Sequence, residues 1–132
     1  MEHEILALFE EWNAAAQSRD PDRVVALYAP DAVLLPTVSN QIRRNHTEMR
    51  AYFVDFLALG PAAVLEDYNL RELGSVAINS GVYTFTFASP PPGAFRVVTA
   101  RYTFVYERRG GRWPIIEHHS SRMPEGEPAG GP

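Results

Sequence analysis

Apolar residues in the first part of the chain recur at the spacing of a helix. Four of them are separated by four, three and four residues and so share one helix face: Ile5, Phe9, Trp12 and Ala16. This pattern predicts a first helix over residues 2–19. Asp20 followed by Pro21 is typical of a helix start, because the carboxylate caps free amide groups and proline suits the first turn. We therefore expect a short second helix that ends at Pro30.

A third helix is predicted after a short apolar strand at residues 31–37. Asn45 and Glu48 have the spacing of a capping box, in which each side chain can accept from a free amide group of the first turn. Five apolar side chains then follow at positions i, i+3, i+4, i+7 and i+8: Met49, Tyr52, Phe53, Phe56 and Leu57. Gly60 and Pro61 are expected to end this helix.

After Pro61 the period of the apolar residues changes from 3.6 to 2, which indicates strands. Four strands are predicted, separated by turn residues such as the Gly-Gly pair at 110–111. They cover residues 64–73, 76–88, 95–108 and 113–121. Helices first and strands afterwards predict an α+β fold, with about three N-terminal helices packed on a strongly bent antiparallel sheet. Such a sheet forms a cone that must be filled, by side chains or by a ligand.

The length of 132 residues is that of one domain, which we place at residues 1–123. Residues 124–132 are rich in Pro, Gly and Glu and are expected to form a flexible tail. A net charge of −4 argues against a nucleic-acid partner, which would require clustered positive charge. The acidic start and the absence of an apolar run of roughly 20 residues predict a cytoplasmic protein with no membrane partner.

Two residue types are missing, and each absence excludes a class of chemistry. All twelve basic residues are Arg, so a Schiff-base lysine is excluded. The chain has no Cys, which excludes disulfides, thiolate nucleophiles and cysteine-bound metals. No glycine fingerprint for a dinucleotide and no flavin or metal signature is present. We therefore expect no cofactor and no metal.

His118 and His119 are the first candidates for chemistry, because histidine titrates near neutral pH. Neighbours on a strand point to opposite faces, so the two side chains cannot easily chelate one metal. One imidazole is expected to point into the cone and the other to the outer face of the sheet. The pattern places Ile115 and Glu117 on the face of His119. Structural hydrogen bonding and a catalytic acid–base role both stay open.

Arg101 lies in the middle of a predicted strand, between Thr99 and Thr103. On a buried side its guanidinium would need a partner, either a carboxylate of the protein or an anionic ligand. Glu117 is as well suited to pairing with an arginine as to acting on a substrate. Asp31 stands at a strand start, where a carboxylate commonly closes a turn.

Aromatic residues at helical spacing usually belong to a core, and that interpretation applies first here. Those nearest the open end of a cone can also line an apolar pocket with a few polar groups. The candidate lining residues from the helices are Trp12, Tyr28 and Tyr52, and Tyr83 of the predicted strand 76–88 is added to them. Together with Arg101 and Glu117 they are our candidate ligand-binding set.

Several stretches of the chain together resemble the association (hub) domain of calcium/calmodulin-dependent protein kinase II, and still more its bacterial stand-alone relatives. The stretches are residues 27–33, 35–37, 52–57, 81–85, 100–106 and 111–124. The most specific is the final His-His-Ser-Ser-Arg-Met-Pro at 118–124. The resemblance implies the NTF2-like (cystatin-like) fold and a sheet-mediated dimer, with a larger ring as a further option. It does not imply kinase activity, since no kinase glycine-rich or catalytic loop occurs, nor a calmodulin-binding helix.

Three functional hypotheses follow. The leading one is a homo-oligomer, at least a dimer through the outer sheet face, that binds a small ligand, with an anion as one option. The alternative is an NTF2-like enzyme, a cyclase, dehydratase or hydrolase of secondary metabolism that uses His119 or His118 as acid or base. The third is an accessory protein that binds a partner in a biosynthetic pathway. A ketosteroid-isomerase mechanism is not expected, because Leu34, Leu35 and Pro36 stand where that family has its catalytic Asp.

Overall fold

The computed structural model describes residues 2–126, so most of the predicted tail lies outside the described residues. Three helices and five strands follow one another in the order α1, α2, β1, α3, β2, β3, β4, β5. Their bounds are Glu2–Gln17, Pro21–Val25, Tyr28–Leu35, His46–Ala58, Pro61–Leu73, Val76–Phe87, Val97–Glu107 and Ile115–Arg122. The predicted elements all exist, and most of their ends are displaced by no more than three residues. The exception is α2, which ends at Val25 and not at Pro30, because residues 28–30 already belong to β1.

Local side-chain hydrogen bonds start the second and third helices. The Asp20 carboxylate accepts from the amide of Asp22, and Pro21 occupies the first turn of α2. The Asn45 side chain accepts from the amide of Glu48 at 2.9 Å. Glu48 in turn accepts from the amide of Arg44 at 2.8 Å, one residue before the cap. Both predicted helix starts are confirmed.

The strands form one sheet in the order β1-β5-β4-β3-β2. β2 to β5 make an antiparallel meander, as expected. The prediction of a wholly antiparallel sheet is wrong, because β1 runs parallel to β5 at one edge. The chain leaves β1, forms α3 and enters the sheet again at the opposite edge with β2, so the sheet is mixed and is not closed into a barrel.

Two β-bulges interrupt the antiparallel pairings of the sheet, and a further register shift lies in β1 between Tyr28 and Val33. Leu65 and Asp67 lie opposite the adjacent residues Tyr83 and Val82, so Glu66 is an extra residue in β2. There the backbone of β2 approaches Gly81 so closely that an added Cβ would lie 2.0 Å from the carbonyl oxygen of Asp67. Only glycine fits this position. A second irregularity lies in β5, where Ile115 and Glu117 face adjacent residues of β4.

The helices pack on the inner, concave side of the sheet, where the core lies. On the sheet, α1 contacts β2 and β3, and α3 contacts β1 and β2. The largest fully buried side chains include Trp12, Tyr28, Tyr83, Phe53 and Phe104. None of the helices among residues 2–126 is long and apolar enough to cross a membrane.

The other side of the sheet, which we call the outer face, carries no helix of the described chain. Across the middle strands its residues pair in rows, such as Val82 with Arg101 and Thr84 with Thr99. Arg101 pairs in turn with Ser121, and Thr103 with His119. Most of these side chains are exposed or half-buried. The sheet thus has one apolar, covered face and one mixed, uncovered face.

Candidate functional site

A polar cluster lies inside the cone, and His118 is at its centre. β5 directs this side chain inward, where it is 3% exposed. The imidazole stacks on Phe104, with ring centroids 4.0 Å apart. The edge of Trp12 approaches it from α1, at a centroid distance of 5.7 Å. An aromatic enclosure of this kind removes the ring from water.

Each nitrogen of His118 contacts a tyrosine hydroxyl. Nδ1 lies 2.7 Å from the Tyr28 hydroxyl of β1, and Nε2 lies 3.2 Å from the Tyr83 hydroxyl of β3. Burial and, to a smaller extent, the neighbouring His119 lower the pKa of His118 to about 3. Burial raises the pKa of both tyrosines well above 10. All three groups are therefore neutral at physiological pH.

Hydrogen bonds extend the cluster in both directions. The indole Nε1 of Trp12 donates to the Tyr28 hydroxyl at 3.1 Å. The Tyr83 hydroxyl donates to Ser120 Oγ at 2.7 Å, and Ser120 contacts the hydroxyl of Thr37. Burial raises the pKa of Tyr52, and hydrogen bonds with the backbone of Val38 and with Thr37 offset part of this rise. The cluster therefore runs from α1 through the sheet to the loop after β1 and to α3.

The cavity beside this cluster has a volume of only about 10 Å³. Its polar lining consists of Thr37, Tyr52, Tyr83, His118 and Ser120. The rest of the lining is apolar or aromatic: Trp12, Leu34, Pro36, Phe53, Phe56 and Phe85. A volume of roughly 10–15 Å³ accommodates one water-sized group. Side chains therefore fill most of the cone.

Two larger depressions lie on the surface. One, of about 800 Å³, is bounded by α1, by residues 26–30 and by the β4–β5 hairpin. The other, of about 400 Å³, lies between residues 35–42 and residues 119–122, and we call it the edge groove. Pro36, Thr37 and Ser120 line both the edge groove and the inner cavity. The contact between Thr37 and Ser120 thus separates the two spaces.

The two neighbouring histidines lie on opposite faces, as predicted. His118 is buried in the cone, and His119 is exposed on the outer face in line with Thr103. The prediction that Ile115 shares the face of His119 is wrong. Ile115 is 2% exposed and points inward, because the extra residue of β5 between Ile115 and Glu117 reverses the alternation.

Arg101 and Glu117 also lie on the outer face, away from the inner cavity. Arg101 is exposed, and no ion pair among residues 2–126 involves it. Glu117 is half-buried in line with Val105 and Val33. Asp31 is exposed as well, and its hydrogen bond with Arg109, at 2.9 Å, lowers the pKa of its carboxyl. These charged candidates do not converge with the histidine cluster.

Trp12, Tyr28, Tyr52 and Tyr83 do converge, together with residues that the sequence reasoning did not select. Ser120 follows His118 by two residues on the same strand, so the period of 2 was sufficient to place it on the inner face. Thr37 lies in the loop after β1, and no local pattern indicates its approach to Ser120. Among residues 2–126, no group of three His, Asp or Glu is arranged to hold a metal ion.

One known family model matches the chain over almost its whole length. Residues 1–124 match the model of the calcium/calmodulin dependent protein kinase II association domain. No curated protein sequence matches the chain. The matched range includes every element of the structure and the whole polar cluster.

Solved structures of similar proteins agree with this match. A Xanthomonas campestris protein, provisionally described as a calcium/calmodulin dependent protein kinase II association domain, is 50% identical with a TM-score of 0.88, over 92% of this chain and 87% of that one. A Caulobacter vibrioides protein with a cystatin-like fold is 19% identical with a TM-score of 0.76, over 92% and 89% of the two chains.

A more distant structure comes from Streptomyces avermitilis and is provisionally described as a dehydratase of the NTF2-like family. It is 13% identical with a TM-score of 0.78, over 92% of this chain and 94% of that one. At this identity the likeness concerns the fold alone. The predicted NTF2-like, cystatin-like fold is confirmed, and the chain belongs to the calcium/calmodulin dependent protein kinase II association domain family.

Proposed function

We propose that this chain is a homo-oligomeric association domain without kinase activity, that its subunits dimerise through the outer face of the sheet, and that the cone binds a small ligand. The observation that carries the proposal is the uncovered outer face. Val64 and Val97 on this face are 62% and 41% exposed, and none of the described helices shields them. An exposed apolar sheet surface of this kind commonly marks a contact with another protein.

The composition of the outer face suits a second copy of the chain. β-Branched residues dominate its centre, including Ile78, Val82, Thr84 and Val105. Two such faces pack about 10 Å apart with interlocking side chains. Arg101, exposed in the same row as Val82 and Asp67, would then gain a polar partner across the interface. The description of the family as an association domain supports the same role.

Light scattering after size-exclusion chromatography at micromolar concentration tests the assembly. We expect a dimer or a larger oligomer. Val82→Arg places a second positive charge beside Arg101 and is expected to yield monomers. Val54→Arg is the matched control, because Val54 is exposed on α3, away from the sheet. A monomeric wild-type protein contradicts the proposed assembly.

The proposed ligand function is supported by the polar cluster beside the inner cavity. A neutral imidazole and four hydroxyl groups line a space that is otherwise apolar, which is typical of a site that orients a small molecule. Only a water-sized part of a ligand fits the cavity, so the remainder has to lie in the edge groove, beyond Thr37 and Ser120. Arg101 and Glu117 lie on the outer face of the sheet and would not contact such a ligand directly.

Native mass spectrometry of gently purified protein tests this second part. We expect a bound small molecule that is lost on denaturation, and reduced occupancy in Ser120→Ala. Ser80→Ala is the control, because Ser80 lies on the outer face of β3 and lines neither the inner cavity nor the edge groove. Full occupancy in Ser120→Ala, or no bound species in any preparation, contradicts ligand binding in the cone.

The enzyme alternative is favoured by one observation, the placement of His118 between two tyrosine hydroxyls. The low pKa of His118 opposes its action as a base at neutral pH. His119 is exposed but lies on the outer face. Turnover that His118→Gln abolishes while folding is retained would support this alternative, and turnover that survives in that variant would exclude His118 as its acid or base.

A further inference from the structure

The hydrogen bonds around His118 form a series with a defined direction from donor to acceptor. The indole of Trp12 is the first donor of this series. An indole nitrogen can only donate, so the Tyr28 oxygen accepts from Trp12. The Tyr28 hydroxyl is buried, and its own proton needs an acceptor. That acceptor is His118 Nδ1, at 2.7 Å. Nδ1 therefore carries no proton.

The hydrogen bonds on the Nε2 side of His118 lead independently to the same tautomer. Tyr83 donates its single proton to Ser120 Oγ. Its 3.2 Å contact with His118 Nε2 must then have the imidazole as donor. Nε2 therefore carries the proton. A neutral imidazole has one donor and one acceptor nitrogen, so the hydrogen bonds on both sides of His118 specify the same tautomer.

The direction continues into the cavity wall. Ser120 accepts from Tyr83, so its proton is directed to Thr37. Tyr52 follows at the cavity wall beside Thr37, and its hydroxyl carries a proton of its own. Among residues 2–126, no hydrogen bond of the structure uses that proton. Tyr52 lines the cavity and is 7% exposed.

We propose that the inner cavity selects the oxygen of a neutral carbonyl group, and that Trp12 is the positioning residue that fixes the tautomer of His118 at the cavity wall. The Tyr52 hydroxyl offers a donor, so the cavity favours a group that accepts. No charged side chain lines the cavity, and the Arg43 guanidinium, 5.5 Å from the centre of the Tyr52 ring, stands outside it. A carboxylate would therefore lose its hydration there without a direct ion pair. An ammonium group would find no acceptor aimed at it. The ligand part of this inference rests on the proposed ligand function, whereas the tautomer does not.

Nitrogen-15 NMR of the imidazole rings tests the tautomer. In the wild type we expect Nδ1 of His118 to have the shift of an unprotonated nitrogen and Nε2 that of a protonated one. In Trp12→Phe the Tyr28 hydroxyl loses its donor, and we expect a mixture of both tautomers. Trp113→Phe is the matched control, because Trp113 is half-buried and lies outside the cluster.

A protonated Nδ1 in the wild type overturns the inference, whether or not Trp12→Phe folds. An unchanged tautomer in a folded Trp12→Phe variant overturns the role assigned to Trp12.

Three small compounds of similar shape test the selectivity: acetone, acetate and isopropylammonium. We expect acetone alone to shift the His118 and Tyr52 signals, and Tyr52→Phe to remove that shift. Equal shifts with isopropylammonium or acetate overturn the carbonyl preference but leave a ligand site in place. No shift with any of the three compounds contradicts the proposed ligand function itself. Light scattering on the same samples reports the assembly separately.

Discussion

At the scale of single residues, the neutral state of His118 follows from what surrounds its ring. Phe104 covers one face, Trp12 meets its edge, and tyrosine hydroxyls occupy both nitrogens. No carboxylate is among these contacts, so nothing offsets the cost of a buried positive charge. The ring is a structural and hydrogen-bonding group at neutral pH.

The low pKa of His118 predicts acid destabilisation. Its folded pKa of about 3 lies below the ordinary value of 6.5, so between these values the unfolded chain binds more protons. The free energy of unfolding should therefore fall as pH falls from 6.5 towards 3. Urea titrations across this range should show a shallower decline in His118→Gln, whose amide can still accept from Tyr28 and donate to Tyr83.

The matched control for this experiment is His3→Gln, since His3 is exposed on α1. It should keep the wild-type decline. An equal decline in all three proteins would contradict the assignment of acid sensitivity to His118.

The close packing around Gly81 leads to a second prediction at the scale of single residues. An added Cβ would collide with the carbonyl oxygen of Asp67 at the bulge of β2, and backbone cannot move aside cheaply. Gly81→Ala should lower the free energy of unfolding by about 1–3 kcal/mol, the usual cost of overpacking. Ser80→Ala, on the neighbouring residue, should change it by less than about 0.5 kcal/mol. Equal denaturation midpoints for the two variants would contradict the close approach.

At the scale of elements, the helix starts depend on side chains adjacent in sequence. Asn45 accepts from Glu48 at the start of α3, and α3 supplies Tyr52, Phe53 and Phe56 to the cavity wall. The integrity of this cap therefore affects the site as well as the helix.

Asn45→Ala should destabilise the protein by about 1 kcal/mol, because an amide of the first turn loses its acceptor. Thermal unfolding followed by circular dichroism measures this effect. Asn45→Asp should retain most of the stability, since a carboxylate accepts the same hydrogen bond. Asn40→Ala, in the exposed loop before α3, is the control. A loss in Asn40→Ala as large as in Asn45→Ala would contradict the capping role.

At the scale of the whole molecule, the sheet divides the protein into a packed interior and an uncovered surface. The helices fill the concave side so completely that a cavity of only about 10 Å³ is left. The convex side keeps Val64 and Val97 exposed. In this family member, assembly through the sheet is therefore the larger part of the proposed function, and ligand binding is confined to a small polar site.

Assembly through the outer face predicts that thermal stability depends on concentration. A partner that binds only the folded chain shifts unfolding by mass action. The melting temperature should rise over a hundredfold increase in protein concentration. Val82→Arg should remove this dependence, whereas Val54→Arg should keep it. A melting temperature that is independent of concentration in the wild type would contradict a reversible dimer.

The sequence by itself determined the features that depend on near neighbours. Helix faces, helix caps and the alternation of strands are encoded within a few residues, so α1, α3 and the antiparallel meander were predictable. The same period of 2 divided His118 and His119 between the two faces. The family resemblance, through 118–124 above all, indicated the fold before any contact was known.

Only the tertiary structure decided the features that join distant segments. The parallel pairing of β1 with β5, the inward turn of Ile115 at its bulge and the exposure of Arg101 depend on strand register, which no local pattern specifies. Strand register also brings together the side chains around His118 and Ser120, namely Tyr28, Tyr83 and Thr37. The filling of the cone is a sum over all side-chain volumes, and packing at that density is decided by the whole molecule.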